Sequence, residues 1–468
     1  MEKGNQKMIK NQNELLSFAR SENTRNRREI LLKLYESAIN AVNPVNIIRN
    51  KVKLTQNQEE LQVDKKIIKI QNRKIWIIGG GKAVGHMAQA LEEILKNCEY
   101  SGTVIVPKGV KNQLKLNNIE CIESNHPIPS LENVKHTEKL LKTVKKIKEK
   151  DLVIVLVSGG GSALLTSPAN TISWNEFQKF TLLLITSKMT IQQINIIRKH
   201  ISRIKGGRLA TYCKSNEIIV LAISDVIGDD LSSIGSGPFY PDPSTFNDAK
   251  QILKQFNLWE NNIPFSIKKH IEKGVQGLIN ETPKSEDPLF KKITHFILAS
   301  NKIACNSAIN EASRLGIKHK LISNQLEGNF KDLVEYLFKE FNDFLSKGDP
   351  LCLFISGGEP TVEVTGKGIG GRNQEVAALA LSKFKKFKGK FCFLSAGTDG
   401  IDGNSQFAGA LVDTDTLFYL NQKGLNLEAY QHNNDLTTFF SALGGSLIET
   451  GPTGTNVMDI HFCWIEKN

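Results

Sequence analysis

Lys74-Ile75-Trp76-Ile77-Ile78-Gly79-Gly80-Gly81-Lys82-Ala83 is the stretch on which the fold turns. Its apolar run reads as a strand buried on both faces, the three glycines as a tight turn, and the apolar positions spaced from Ala83 to Leu95 as a helix. The pattern recurs at Leu152 to Val157, which runs into Ser158-Gly159-Gly160-Gly161-Ser162 and then Ala163-Leu164-Leu165. Between the two lie a strand at Thr103-Val104-Ile105-Val106 and a helix from Glu132 to Lys148. Further on, Glu217 to Ile223 is another wholly apolar strand, ending in Ser224-Asp225-Val226-Ile227-Gly228-Asp229-Asp230. Strands alternating with helices pair in parallel and carry helices on both faces, so the reading is α/β, a three-layer domain.

Outward from that core, Arg27 to Val42 reads as a first amphipathic helix, preceded by a Lys-, Asn- and Gln-rich flexible tail over residues 1–26. Periodicity fades from Asn261 to Pro288, which places a domain boundary there. A second strand–helix series opens at His295-Phe296-Ile297-Leu298-Ala299, with strands expected near Leu351–Ile355, Thr361–Val364, Phe391–Ser395, Ala410–Val412 and Ile460–Trp464. The expectation is two three-layer α/β domains, a larger one over 27–275 and a smaller one over 290–468, with a cleft between them.

Composition narrows the function. A chain of 468 residues with 40% hydrophobic and 23% charged residues has ample material for two cores. Its longest apolar run, Leu152 to Leu165, is interrupted by Gly and Ser and is too short to cross a bilayer, so no membrane partner is expected. The net charge of +12 comes from lysines such as those over 135–150 and 383–390, on polar helix faces or loops without interleaved aromatics. They read as solvated faces and not as a nucleic-acid surface. Seven cysteines without a CxxC pair, and no HExxH-like spacing among nine histidines, exclude a disulfide framework and a zinc site. The N-terminus has neither a secretory nor a transit pattern, and the expected location is cytoplasmic.

Chemistry concentrates at the glycine turns. Gly79-Gly80-Gly81-Lys82 is no Walker A, because Ala83 stands where a Ser or Thr would hold magnesium. It is also a poor NAD fingerprint, since the next strand ends at Val106-Pro107-Lys108 where a ribose-binding acid belongs. A lysine in such a turn suits phosphate. The junction Gly366-Lys367-Gly368-Ile369-Gly370-Gly371-Arg372-Asn373-Gln374-Glu375 puts a guanidinium where a glycine loop enters a helix, an arrangement suited to an anion. Two acidic loops could carry Mg²⁺, one with Asp225, Asp229 and Asp230 and one with Asp399 and Asp402; Asx capping is the plain alternative for each. Arg198, followed by Lys205-Gly206-Gly207-Arg208, reads either as a basic surface helix or as a carboxylate or phosphate site. Ser233 to Pro238 and Thr450 to Asp459 are small, polar segments able to line a pocket, or simply loop punctuation.

Gly79-Gly80-Gly81-Lys82-Ala83, Ser158-Gly159-Gly160-Gly161-Ser162, Ser224-Asp225-Val226-Ile227-Gly228-Asp229-Asp230, Ser236-Gly237-Pro238, Ser356-Gly357-Gly358-Glu359-Pro360-Thr361, Gly370-Gly371-Arg372-Asn373-Gln374-Glu375 and Gly454-Thr455-Asn456-Val457-Met458-Asp459 occur in the order seen in glycerate 2-kinases. From Arg27 to Trp464 the chain resembles that family, in particular the animal-type glycerate kinases. The resemblance implies a Rossmann-like N-terminal domain and a C-terminal domain with a MOFRL region at about 350–465. It implies ATP- and Mg²⁺-dependent phosphorylation of D-glycerate to 2-phosphoglycerate, in serine and fructose breakdown. Lys82 and Arg372 match the family's proposed active-site cations, facing each other across the interdomain cleft. ATP would then lie against Gly79, Gly80, Gly81, Ser158, Gly159, Gly160, Gly161, Ser162, Gly370, Gly371 and Asn373. Arg198, Ser236, Glu359, Thr455 and Asn456 would meet glycerate, and Asp225, Asp229 or Asp399 would hold Mg²⁺. Domain closure would assemble the site. A hydroxypyruvate reductase using NAD(P)H and a non-catalytic anion-binding regulator are the other readings, and a homodimer is one open form of assembly.

Overall fold

The computed structural model describes residues 8–347 and 351–467. Its chain divides into two compact units, Pro44–Leu298 and a second made of Met1–Asn43 together with Ala299–Asn468.

In the first unit a helix, Pro44–Lys51, leads into a small antiparallel meander of Val52–Leu54, Glu60–Val63 and Lys66–Lys69. The main sheet follows: β1 (Ile75–Gly80), β2 (Tyr100–Pro107), β3 (Ile119–Ser124), β4 (Leu152–Val157), β5 (Glu217–Ile223) and β6 (Ile293–Ala299). Its spatial order is β3-β2-β1-β4-β5-β6, with the pairs from β3 to β5 parallel. Every residue of β1 and β4 is buried, the pattern of strands covered on both faces. Trp76, Ile78, Val153 and Val155 share one core with Leu140, Leu141 and Val144 of the helix Leu131–Val144. The strand order reverses between β1 and β4, whose last residues Gly80 and Val157 are in register. Two glycine turns therefore leave the sheet side by side, at the crevice where open α/β sheets bind ligands. A separate helical core, with Phe180, Ile197, Phe246, Trp259 and Ile271, is built from the insertions after β4 and β5.

The second unit also holds one six-stranded sheet: β7 (His319–Asn329), β8 (Leu351–Thr361), β9 (Gly389–Gly397), β10 (Gly409–Asp413), β11 (Leu447–Ile448) and β12 (Asp459–Lys467), in the order β7-β8-β12-β9-β10-β11. Among the described residues only β7 and β8 pair in parallel; the other four pairs are antiparallel. The domain is α/β as expected, with a mixed sheet. The helix Arg372–Phe384 packs on it through Val376, Ala377, Ala380, Leu381 and Phe384, and Phe384 stacks on Phe391 with ring centroids 4.0 Å apart.

Two expected boundaries shift. Residues 8–26 are not a tail: Gln12–Ser17 is helical with Leu15 and Leu16 buried, and Lys10 N–H donates to Glu449 O at 2.7 Å. Residues 1–7 of that expected tail lie outside the described residues. The helix Glu22–Ala41, capped by Ser21 Oγ accepting from Thr24 N–H, belongs to the second unit and not to the larger domain. Its anchor is Arg28, fully buried, with Nε 2.6 Å from Asp413 Oδ2 and one amino group donating to Leu15 O and Gly445 O. At the other boundary, β6 closes the first sheet instead of opening the second. The stretch before it, read as aperiodic, contains the helix Phe265–Val275 with Ile267 and Ile271 buried.

Candidate active site

The glycines of the first turn are dictated by packing. A side chain at Gly79 would overlap Leu156 O of β4, one at Gly80 would meet Leu165, and one at Gly81 would overlap Ser158 Oγ. The two turns are stitched together: Lys82 N–H donates to Gly159 O at 2.9 Å and Ala83 N–H to Ser158 Oγ at 3.1 Å. Gly160 has φ +79°, the left-handed region that favours glycine. Its Cβ position would lie 2.9 Å from His126 Nε2 and 3.2 Å from Lys82 Cγ. At Gly159 a Cβ would overlap the carboxylate of Asp225. The ends of β1, β3, β4 and β5 thus bring Lys82, His126, Ser158–Ser162 and Asp225 to one loop.

Lys82 is half-buried, and among the described residues no carboxylate pairs with it. Burial, together with the Lys82 charge, pushes the His126 imidazole down to about 4, so it is neutral at physiological pH. The acidic loop divides. Asp230 is a turn cap, accepting from Ser232 N–H at 2.9 Å and from the Ser232 and Ser233 hydroxyls at 2.7 Å each. Asp242 is a buried structural anion, 3.3 Å from Lys199 Nζ and bonded to Ser244. Asp225, against Gly159, and Asp229 are the other carboxylates of this loop.

At the other end of the glycine loop, Ser162 Oγ lies 2.9 Å from Ser236 Oγ, which donates to Asn195 Oδ1 at 3.2 Å. Lys205 Nζ reaches Ser162 O at 2.6 Å, Ser162 Oγ at 3.2 Å and Leu165 O at 3.1 Å. Arg198 is half-buried close by, and burial lowers its pKa. A separate hollow of about 540 Å³ in this unit includes none of these turns. It is lined by Arg203, Arg208, His270 and Glu281 among others, and Arg203 is already matched by Glu138 at 2.5 Å.

In the second unit the glycine–helix junction holds an anion, but an internal one. Asp402, buried, accepts from Asn373 N–H and Gln374 N–H at 2.9 Å each and from Asn373 Nδ2 at 3.2 Å. Gly371 makes room for it, since a Cβ there would overlap the Asp402 side chain, and Gly370 N–H donates to Asn404 Oδ1. The helix-end donors expected for a ligand are thus spent within the fold, because a carboxylate from the next loop satisfies them first. Burial raises Asp402 to about 7, against the opposing pull of those N–H bonds. Arg372 is likewise engaged, with Nε 2.5 Å from Asp459 Oδ2, one amino group 3.1 Å from Asp459 Oδ1 and the other 2.9 Å from Glu359 Oε1. Burial alone would lower the guanidinium; Asp459 and Glu359 outweigh it and hold the pKa above its ordinary value. Asp399 borders the same strand end at Gly397. Thr455 Oγ1 donates to Val42 O at 2.8 Å, at the end of the helix Glu22–Ala41, and Asn456 Oδ1 accepts from Met458 N–H at 3.0 Å within its own loop. No group of three or more His, Cys, Asp or Glu able to hold a metal occurs among the described residues.

His126 and Asn195 were not singled out by the sequence reading, and Lys205 was named there only as part of a Gly-Gly turn. For His126 the signal was its position just past a strand's C-terminal end. For Lys205 it was the basic Gly-Gly turn already noted beside Arg198.

A doubly wound sheet with a lysine on the glycine turn at its switch point, and an aspartate against the neighbouring turn, has the layout of a ligand-binding α/β protein. Residues 30–272 match the family described as domain of unknown function DUF4147, and residues 352–459 match the MOFRL family. Over 92% of its length the chain is 38% identical to the glycerate 2-kinase of Pyrococcus horikoshii, covering 96% of that protein. It is 33% identical to the glycerate kinase of Danio rerio, with 92% of this chain and 95% of that one aligned. The crystal structure of the Thermotoga maritima glycerate kinase superposes with a TM-score of 0.79 at 31% identity, over 93% of this chain and 99% of that one. The chain belongs to the glycerate kinase family formed by a DUF4147 domain followed by a MOFRL domain, and is an enzyme of the kinase class.

Proposed function

We propose that this enzyme transfers the γ-phosphoryl group of ATP to D-glycerate, giving 2-phosphoglycerate and ADP. The observation that carries the reading is Lys82: a half-buried ammonium with no carboxylate partner among the described residues, seated on the turn where strand order reverses and one glycine away from Asp225. The relatives named glycerate 2-kinase support the choice of substrate and of hydroxyl.

Phosphoryl transfer asks a protein mainly for positioning and charge neutralisation. Lys82 neutralises the moving phosphoryl group, and the backbone of Ser158–Ser162 lets the nucleotide phosphates approach without side-chain interference. Neutral His126 accepts a hydrogen bond from the incoming hydroxyl. Arg198 receives the glycerate carboxylate. Asp225 and Asp229 would hold Mg²⁺, which takes one or two protein carboxylates and otherwise water. Bound there, the ion would supply positive charge to offset that of the phosphates. Arg372 is the second catalytic cation of the proposal, held until needed by Asp459 and Glu359.

The test is a coupled assay of the purified protein with D-glycerate and MgATP, followed for ADP release, alongside NADH with hydroxypyruvate. ADP formation dependent on D-glycerate, with 2-phosphoglycerate identified by NMR, is expected. NADH oxidation without ADP release would replace this reading by the reductase one.

A further inference from the structure

The helix Ile191–His200 ends in three consecutive basic residues, Arg198-Lys199-His200. Two of them have acids: Lys199 pairs with Asp242 and His200 Nε2 lies 3.1 Å from Glu281. Arg198 has none among the described residues, and neither does Lys205, 3% exposed, whose ammonium meets only Ser162 O, Ser162 Oγ and Leu165 O. Those three acceptors use all three of its protons. Two neighbouring cations are thus buried or half-buried with no acid partner among the described residues: burial, then the Arg198 charge, pushes Lys205 down to about 7, and burial lowers Arg198. Burying a charge without a counter-ion destabilises a fold, so a pair of this kind calls for an anion from outside.

We propose that Lys205 is the buried positioning residue of a carboxylate subsite, in which Arg198 touches the carboxylate of the 2-hydroxy acid and Lys205 sets the field and the orientation of Ser162 beneath it. The inference rests on the kinase reading above. The hydroxyl chain fixes the geometry: Ser236 Oγ–H is given to Asn195 Oδ1, so Ser162 Oγ–H points to Ser236 and its lone pair accepts from Lys205. Ser162 stands two residues from Gly160, where Lys82 and His126 meet. Two residues of chain span at most about 7 Å, a separation that lets a three-carbon acid place its carboxylate at one end of the loop and its hydroxyl toward the other. A carboxylate fits this end better than a nucleotide phosphate because Lys82 and Asp225 already mark the opposite end for phosphate.

The experiment compares the parent, K205M and K205R in kinetics and in thermal melting with D-glycerate alone, ADP alone and glycerol alone. Expected are a rise of about tenfold or more in KM for D-glycerate in K205M, kcat and KM for ATP within a few-fold of the parent, loss of the D-glycerate melting shift, an unliganded melting temperature no lower than the parent's, and partial recovery in K205R. A parent-like KM for D-glycerate overturns the inference, as does a lower unliganded melting temperature with unchanged KM, which marks a structural staple. A rise confined to KM for ATP, or loss of the ADP shift alone, overturns it in favour of a phosphate site. If K205M does not fold, R198Q decides by the same kinetics, and a parent-like KM for D-glycerate again overturns it. A parent that neither phosphorylates D-glycerate nor melts later in its presence refutes the kinase reading instead, whatever K205M does.

Discussion

The two cations that the motifs single out sit in opposite electrostatic settings. Lys82 has no acid partner among the described residues, whereas Arg372 is forked onto buried Asp459 and also reaches Glu359. Removing them should have different costs. In R372A, Asp459 is left buried and unpaired, so activity falls and stability drops by about 3–5 kcal/mol, read from the denaturant midpoint; an unchanged midpoint would contradict the pairing. Asp402 gives a pH signature. Its folded pKa of about 7 lies above the ordinary carboxyl value, so its contribution to stability is complete below about pH 4 and is lost as pH rises through 7. Melting curves of D402N should therefore show a flatter pH dependence between pH 4 and 7 than the parent; parallel curves would refute the buried, elevated carboxyl. Lys82 was legible because turn lysines follow a local pattern. Asp402 as helix cap was not, since it reaches Asn373 from 29 residues away, and a local reading sees only the free helix end.

At the level of elements, the glycine turns are where packing and chemistry meet. Gly159 can be tested on its own: its φ is ordinary, yet any Cβ overlaps the Asp225 carboxylate. G159A is expected to displace Asp225 and lower kcat by at least about a hundredfold, with the melting temperature falling by only a few degrees; parent-like turnover would show that Asp225 has no part in the reaction. The strands of the first sheet were readable because β1, β4 and β5 are continuous apolar runs that only a doubly covered parallel strand explains. β7 was missed for the opposite reason. Its residues His319–Asn329 are mostly polar, half-buried or exposed, with register shifts at Leu321/Ser323 and Ser323/Leu326, so no period of two survives in the sequence. The antiparallel pairing of β8, β9 and β12 was equally hidden, because it joins segments about 70 to 110 residues apart that look like any buried strands.

Across the whole chain, the N-terminal helices are the feature that sequence reasoning misplaced. Composition marked the first residues as polar, yet Leu15, Leu16, Leu31, Leu32 and Tyr35 are buried and Arg28 neutralises Asp413 inside the second unit. Protein beginning at Pro44 should therefore lose the cooperative melting of Ala299–Asn468, and R28A alone should cost about 3–5 kcal/mol by leaving Asp413 buried and unpaired. A two-transition melt in which only the first unit survives truncation is the expected trace; an unaltered melt would contradict it. Function, by contrast, was legible at the scale of motifs, since the glycine turns and their order along the chain survive without knowledge of how the sheets pair. The account rests on Lys82 as the cation of phosphoryl transfer, and the direct measurement is D-glycerate-dependent ADP release by K82A. It predicts a loss of about a thousandfold or more in turnover with the parent's melting temperature, because among the described residues no carboxylate pairs with the Lys82 ammonium; turnover within a few-fold of the parent would contradict it.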